Sequence, residues 1–369
     1  MTGVVIAAAA RTAVAPRGGA FAAVELQDLA APVIRRLLAM AGLAESAVDE
    51  LVLGNALGAG GNPARLAALA AGLPERVAGL TIDRQCCSGL DALKIGAAMI
   101  GAGQADIVIA GGAESYSRRP LRYRTFADGA PPLAYDRPAF SPWSDRDPDL
   151  AVAADALARD LSISRAAQDQ WAIGSHAKAR AAQTRLGAEI VPVCGLSHDP
   201  FARDLTPRLC ARAAAISGNV TAANTAVAAD AAAFCLMMST ATALRLAIPA
   251  VAFVGCATVG DRPECPGLAP VAAIKEVLGR TGLCPGDLAV AEVMEAYAAQ
   301  AIACVEGAGL DAAQVNLGGG ALARGHPIGA SGAVNAVRLF HELRARPGAY
   351  GLAAIAAAGG LGSAFILRG

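Results

Sequence analysis

One stretch of the sequence occurs twice, first as CSGLDAL at Cys87–Leu93 and again as ASGAVNA at Ala330–Ala336. Each copy opens a predicted helix. Each is followed by an apolar strand that ends in a pair of glycines, at Ile109–Gly112 and at Ala357–Gly360. Matches that recur in the same order indicate an internal repeat. We therefore predict a fold made of two similar halves.

The apolar runs Val4–Ile6 and Val251–Val254 would begin the two halves. This predicts an N-terminal half at residues 1–248 and a C-terminal half at residues 249–369. The first half also carries a predicted insertion of loops and helices at about residues 117–200. Six arginines between Arg118 and Arg146 either contact the phosphates of an anionic ligand or lie in a solvated loop.

Hydrophobic periodicity in the first half predicts strands that alternate with helices. This order indicates an α/β protein whose parallel or mixed sheet is covered on both faces. The predicted strands are Val4–Ala9, Val48–Leu53, Thr81–Ile82 and Ile107–Gly111, and the predicted helices are Glu25–Ala41, Pro63–Ala71, Ser88–Gly103, Asp149–Leu161 and Ser164–Leu186, the last capped by Ser164.

The composition excludes several classes of function. Lys+Arg and Asp+Glu both number 31, so no strong field attracts nucleic acid or an acidic membrane surface. The longest uncharged apolar stretch near the C-terminus, Gly351–Leu367, is short for a membrane span and is broken by glycines. The nine cysteines include no CxxC pair, so we expect neither a metal site nor a disulfide framework. These features predict a cytoplasmic protein that binds no membrane, nucleic acid or metal.

Cys86 lies between a predicted strand and the start of a predicted helix. Unpaired N–H groups and the positive end of the helix dipole favour a thiolate there, and the same N–H groups can hold an acyl oxyanion. The sequence around Cys86 by itself is more typical of a buried structural cysteine.

His326 precedes the matching helix of the second half. If the repeat is real, the two helix starts converge, and a Cys–His pair faces one cleft. A lone histidine that caps a loop is the alternative. His176, His198 and His341 fit structural roles better, because they lie in polar helical or loop contexts.

Five motifs lie at separate places along the chain. They are RQCCSGL at Arg84–Leu90, GHPIGASG at Gly325–Gly332, NVTAAN at Asn219–Asn224, EAYAAQ at Glu295–Gln300 and GGLG at Gly359–Gly362. Together they resemble the thiolase family over essentially the whole chain, and the histidine motif GHPIGASG is the most specific of them.

The resemblance implies a five-layered αβαβα fold from two pseudo-symmetric halves, usually assembled as a homodimer or homotetramer. It implies acyl transfer from a coenzyme A thioester, as substrate, to the nucleophile Cys86, with no bound cofactor. By the same resemblance His326 contributes to one oxyanion hole, and the backbone N–H groups of Cys86 and Ala358 form another. Ala223, Ala226 and His326 would border the acyl-CoA.

Two positions depart from the catalytic set that the family implies. Met294 replaces an asparagine that holds a water for the oxyanion hole, and Met is only a weak acceptor. Ala356 replaces the second cysteine, which moves a proton at the carbon nucleophile. Changes near Asp147–Leu150 and Pro266 also fall, by the resemblance, around the acyl pocket.

Three functions therefore stay open. The first is an acyltransferase that forms a thioester on Cys86 and passes the acyl group to an acceptor. The second is a conventional β-ketothiolase, an acetyl-CoA acetyltransferase with a substitute acid/base. The third is a non-catalytic binding or scaffold protein that pairs with a partner subunit.

Overall fold

The computed structural model describes residues 3–58 and 60–369. Its strands are β1 Val4–Arg11, β2 Ala15–Pro16, β3 Glu50–Gly54, β4 Leu80–Ile82, β5 Ile107–Glu114, β6 Arg122–Arg124, β7 Leu133–Tyr135, β8 Ala215–Ser217, β9 Val220–Thr221, β10 Ala229–Ser239, β11 Val251–Gly260, β12 Leu288–Val293, β13 Tyr350–Ala357 and β14 Leu361–Arg368. Its helices are α1 Leu26–Ala41, α2 Pro63–Ala70, α3 Ser88–Gly101, α4 Leu150–Asp160, α5 Arg165–Ala181, α6 Gln183–Leu186, α7 Pro207–Arg212, α8 Thr240–Arg245, α9 Ala269–Thr281, α10 Ala298–Gly307, α11 Ala321–Arg324 and α12 Ile328–Arg344.

The elements predicted in the first half are confirmed to within a few residues. Ser164 caps α5, because its side chain accepts a hydrogen bond from the backbone N–H of Ala167. The single helix predicted over Ser164–Leu186 is wrong: the chain breaks at Ala182 into α5 and α6.

The large sheet runs in the order β12-β13-β14-β11-β1-β10-β5-β3-β4, and β2 pairs with β10. β1 and β11 meet antiparallel in its middle, with Val4 opposite Phe253 and Ile6 opposite Val251. Going outward from this junction, the strands of the first half are β1, β10, β5 and β3, and those of the second half are β11, β14, β13 and β12. In both sets the four strands come first, last, third and second along the chain, so the two halves have the same topology. The predicted boundary at residues 248 and 249 falls between α8 and β11.

Successive side chains of a strand point to opposite faces of the sheet, so the helices that each set contacts show how the layers stack. The odd-numbered residues 229–237 of β10 and 365–367 of β14 pack in one core cluster with α3 and α12. The even-numbered residues 232–238 of β10 pack instead with α1, and residues 364 and 366 of β14 pack with α9. The order is helices, strands, helices, strands, helices, which confirms the five-layered prediction.

The two central helices touch through equivalent positions of the repeat. A Cβ on Gly89 would lie 2.8 Å from the backbone nitrogen of Ala333, and a Cβ on Gly332 would lie 2.6 Å from that of Leu90. Gly89 and Gly332 occupy the same position of the repeated motif, as do Leu90 and Ala333. The contact is therefore pseudo-symmetric, and it brings the N-termini of α3 and α12 together.

We expect Gly89→Ala to destabilise the protein, since the added methyl would press on backbone atoms that cannot rotate away. Overpacking of this kind costs about 1–3 kcal/mol. Gly101→Ala in the same helix is the matched control, because nothing lies within 4 Å of its Cβ position. Urea unfolding would measure both, and equal stability of the two variants would contradict the close contact.

None of the helices within residues 3–58 and 60–369 is long and apolar enough to cross a membrane. The apolar stretch Gly351–Leu367 instead lies within the antiparallel pair β13–β14, in which Ala354 is opposite Ala364. Its hydrophobicity is explained by burial on both faces of the sheet.

Candidate active site

A tight turn between β4 and α3 presents Cys86. Gln85, just before it, has a φ of 50°, which is uncommon for a residue other than glycine. The Ser88 hydroxyl donates to the Gln85 carbonyl at 2.6 Å and accepts from the Arg84 N–H at 2.7 Å. These bonds hold the strained backbone and fix Cys86 at the N-terminus of α3.

The structure brings Cys86 and His326 together. The Nε2 atom of His326 lies 3.1 Å from the Cys86 sulfur, and its Nδ1 atom lies 2.6 Å from the hydroxyl oxygen of Ser331. The backbone N–H of His326 donates to the Val227 carbonyl at 2.7 Å, which fixes the loop before α12. Both side chains are half-buried, and the residues lie 240 positions apart in the chain.

Burial keeps both reacting groups neutral. It raises the pKa of the Cys86 thiol to about 12, although the backbone N–H groups of Cys86 and Ala358 favour the thiolate and oppose the rise. The carboxylates of Glu114 and Asp83 add to it. Burial also lowers the pKa of His326 to about 4. The free protein therefore holds a thiol and a neutral imidazole, rather than a thiolate–imidazolium pair.

This electrostatic state predicts how Cys86 reacts with iodoacetamide. Only the thiolate reacts, so a raised pKa means that the alkylation rate keeps increasing as pH rises through 8 and 9. We expect no plateau below about pH 11 when Cys86 modification is followed by peptide mass spectrometry. A plateau between pH 6 and 8 would indicate an ion pair and contradict the neutral pair.

A cavity opens onto the Cys86 sulfur and encloses about 640 Å³, including its mouth. Its walls are mainly apolar, which suits an acyl chain. They come from helix α4, the Thr225 loop, the start of α10 and the end of β13. The lining consists of Cys86, Leu150, Ala153, Ala154, Leu157, Thr225, Ala226, Pro266, Gly267, Ala296, Tyr297, Gln300, His326, Ala356, Ala357 and Ala358.

Comparison with protein-family models gives two matches that together span almost the whole chain. The thiolase N-terminal domain matches residues 4–241, and the thiolase C-terminal domain matches residues 247–369. This chain belongs to the thiolase family.

Relatives and solved structures of the family resemble the chain over nearly its full length. A putative acetyl-CoA C-acetyltransferase, YhfS, of Bacillus subtilis is 41% identical over 352 residues, covering 93% of this chain and 92% of that protein. An acetyl-CoA acetyltransferase of Cupriavidus necator is 40% identical and covers 100% of both. The crystal structure of the Bacillus anthracis acetyl-CoA acetyltransferase has a TM-score of 0.92 at 33% identity, covering 100% of this chain and 98% of that one. Acat5 thiolase from Ascaris suum, in complex with coenzyme A, has a TM-score of 0.91 at 30% identity and 99% coverage of both.

The positions predicted from the thiolase motifs fall into two groups. Ala226, His326, Ala356 and Ala358 line the cavity, but Ala223 does not. Ala223 is buried in a separate cluster that includes Ala298 and Leu322.

Met294 is buried in the central core and does not line the cavity. Its backbone N–H donates to the Ala354 carbonyl at 2.9 Å, as part of the sheet. The position where the thiolase motif has an amide therefore presents no polar side chain to the Cys–His pair.

The arginines of the insertion make contacts elsewhere, and none of them lines the cavity. Most of these arginines are paired with other residues of the chain, which argues against phosphate binding at this cavity. Arg118 pairs with Glu25, Arg119 with Asp136, Arg137 with Asp147 and Arg146 with Glu264, Arg122 donates to the Ala56 and Leu57 carbonyls, and Arg124 lies over the Tyr135 ring.

His176 and His341, for which structural roles are predicted, make contacts away from the cavity. His176 is buried, packs beside the Phe201 ring and accepts from the Arg203 N–H. His341 lies with its Nε2 atom 3.0 Å from the Ala9 carbonyl oxygen. His176 is buried on α5, whereas His341 is half-buried near the end of α12, a helix whose residues are almost all buried. Neither lines the cavity.

Sequence reasoning missed Glu114, a buried carboxylate that connects the two halves beside the site. It accepts from the Asn55 side chain at 2.5 Å and from the Ala56 and Gly329 N–H groups at 3.0 and 2.9 Å. Burial raises its pKa to about 7, against the effect of these N–H groups. Gly329 lies three residues after His326, so Glu114 holds the start of α12. The available signal was an acidic residue at the end of an apolar strand.

Proposed function

We propose that this thiolase-family chain is an acyltransferase that forms an acyl thioester on Cys86 from an acyl-CoA and passes the acyl group to an acceptor. The 3.1 Å contact between Cys86 and His326 at an open, apolar cavity carries this proposal. A thiol and an imidazole at hydrogen-bond distance are the pair that nucleophilic catalysis requires.

The geometry supports a simple acylation step. The Cys86 thiol gives its proton to Nε2 of His326 as the sulfur attacks the carbonyl carbon of the acyl-CoA. Nε2 can accept only if Nδ1 carries the ring proton, and the Nδ1–H group then donates a hydrogen bond to the Ser331 hydroxyl oxygen. The N–H groups of Cys86 and Ala358, which already favour charge on the sulfur, would hold the oxyanion. The bond to coenzyme A then breaks, and its thiolate takes the proton from His326.

The second step needs an acceptor that does not depend on a second cysteine. Ala356 lines the cavity and cannot carry a proton. An acceptor that is already nucleophilic, or one that gains a carbanion by losing CO₂, avoids the need for a base at this position. The acyl chain of the donor would lie along the apolar wall formed by Ala153, Ala154 and Leu157.

Incubation with a panel of acyl-CoAs tests the proposal. We expect the intact mass to increase by one acyl group, with the modification on the Cys86 peptide. Exposed thiols at Cys194 and Cys284 are the positions to exclude by peptide mapping. An unchanged mass across a broad panel would contradict the proposal.

A conventional β-ketothiolase is the second candidate, because the relatives at about 40% identity are named acetyl-CoA acetyltransferases. Thiolysis of acetoacetyl-CoA at ordinary turnover would establish it. The residues at Met294 and Ala356 argue against it, since each removes a polar group. The same two residues favour a third candidate, a non-catalytic subunit, which full function of a Cys86→Ala variant together with a co-purifying partner would support.

A further inference from the structure

Tyr297 lines the cavity and carries a hydroxyl at a position where the thiolase motif has phenylalanine. The stretch MEAY at Met294–Tyr297 resembles Asn-Glu-Ala-Phe, so the motif loses its amide at one end and gains a phenol at the other. The side chain of Tyr297 lines the cavity together with Cys86, His326 and Ala356. The tyrosine hydroxyl therefore belongs to a residue three positions after the one where the motif has its amide.

The fold holds Tyr297 in a fixed place. Its backbone forms an antiparallel bridge with Thr225, and the N–H of Ala226 donates to the Ala296 carbonyl at 2.9 Å. The ring packs against Ala151 and Ala154 of α4 and against Val220. A rigidly held donor is what stabilises charge in a reaction, because no reorganisation is needed when the charge develops.

The Tyr297 hydroxyl makes no hydrogen bond to any residue within 3–58 and 60–369, so it is available to a ligand. The other polar side chains of the wall are not. Gln300 is engaged at both ends, since its oxygen accepts from the Ala296 N–H and its nitrogen donates to the Cys304 sulfur. The Thr225 hydroxyl also has no hydrogen-bond partner among the described residues, but its oxygen atom is buried.

The phenol is a donor rather than a base. Burial raises the pKa of Tyr297 above its ordinary value, and the nearby Asp149 carboxylate raises it further. The hydroxyl therefore keeps its proton throughout the physiological pH range, and it can donate to a carbonyl oxygen without losing that proton.

We propose that the Tyr297 hydroxyl donates a hydrogen bond to the carbonyl oxygen of a thioester bound in the cavity. This contact compensates in part for the amide that Met294 lacks. The inference rests on the proposed function, because it requires that the cavity bind an acyl-CoA. It assigns a substrate-contacting role to a residue outside the Cys86–His326 pair.

Tyr297→Phe tests the proposal, because it removes one oxygen atom and keeps the ring that packs on α4. Binding is measured in a Cys86→Ala background, which prevents turnover, with two ligands: acetyl-CoA and S-ethyl-CoA, a thioether with a methylene in place of the carbonyl. We expect Tyr297→Phe to weaken acetyl-CoA binding by about 5- to 10-fold and to leave S-ethyl-CoA binding unchanged. With Cys86 present, acylation by acetyl-CoA should slow by about 10²-fold.

Tyr350→Phe is the matched control, since Tyr350 lies on β13, packs against Arg368 and does not line the cavity. Equal weakening of both ligands by Tyr297→Phe would assign the tyrosine a packing role and overturn the proposal. Unchanged binding and acylation would overturn it as well. If neither ligand binds and Cys86 is never acylated in the unaltered protein, the proposed function itself fails. Acylation that is independent of Tyr297 removes only this inference.

Discussion

We expect Cys86→Ala to abolish acyl transfer to the protein, with acyl incorporation from acetyl-CoA falling on the order of 10⁴-fold or more. The variant removes the sulfur that His326 contacts at 3.1 Å, and within the described part of the chain no other cysteine lines the cavity. Cys87 is adjacent in sequence, but it is completely buried and its sulfur faces the Ile355 carbonyl. Intact-mass spectrometry after incubation with acetyl-CoA measures the effect.

Cys194→Ala and Cys284→Ala are the controls for this result, because both cysteines are exposed and could react without catalysis. Each control should retain the full adduct. An adduct that persists in Cys86→Ala, or disappears in either control, would show that the acyl group is carried elsewhere. His326→Ala should slow formation of the adduct without removing it, since the nucleophile remains.

Ala356→Cys should raise the thiolysis of acetoacetyl-CoA by about 10²-fold or more over the unaltered protein. In the thiolase motif a cysteine at this position moves the proton at the carbon nucleophile, and loss of a general acid/base typically costs 10²–10⁴-fold. Ala356 is half-buried and lines the cavity beside Ala357 and Ala358, so one sulfur atom fits without a change in the core. The initial rate of acetoacetyl-CoA cleavage in the presence of coenzyme A is the measurement.

A cysteine placed elsewhere in the same cavity tests whether the gain depends on the position of the thiol or only on its presence. Ala153→Cys adds a cysteine to the α4 wall, and we expect no gain from it. An unaltered protein that already cleaves acetoacetyl-CoA at ordinary turnover would contradict the expectation, because a substitute acid/base would then be present. Equal gains from both cysteines would show that the proton transfer needs no defined position.

Much of the fold was predictable because runs of apolar residues and a repeated motif, both visible in the local sequence, mark its strands and helices. The apolar runs at Val4 and Val251 became β1 and β11, and the repeated Ser-Gly motif became the contact between α3 and α12. The helix predicted over residues 164–186 failed at Ala182, a break that the chain's hydrophobic pattern does not mark.

The candidate site was predictable in part. Cys86 and His326 carry motif signals, and Tyr297 lies within a motif that by itself assigns it no role, whereas Glu114 and Thr225 lie outside the motifs quoted above. Their importance comes from neighbours that are distant in sequence: Glu114 bonds to Gly329, and Thr225 pairs with Tyr297. Ala223, a motif position predicted to border the acyl-CoA, is buried in a separate cluster, and its role stays a prediction.

The sequence by itself determined the family and the repeat, it predicted Cys86 as the nucleophile and His326 as its histidine, and it places the apolar residues Met294 and Ala356 at two motif positions. These are properties of residue type and spacing. Only the tertiary structure decided that the Cys86 sulfur lies 3.1 Å from His326, that both groups are neutral and that the Tyr297 hydroxyl is unpaired. The reason is that distance, desolvation and hydrogen bonding depend on which surfaces meet after folding, and residues 240 positions apart meet here through the packing of two glycine-lined helices.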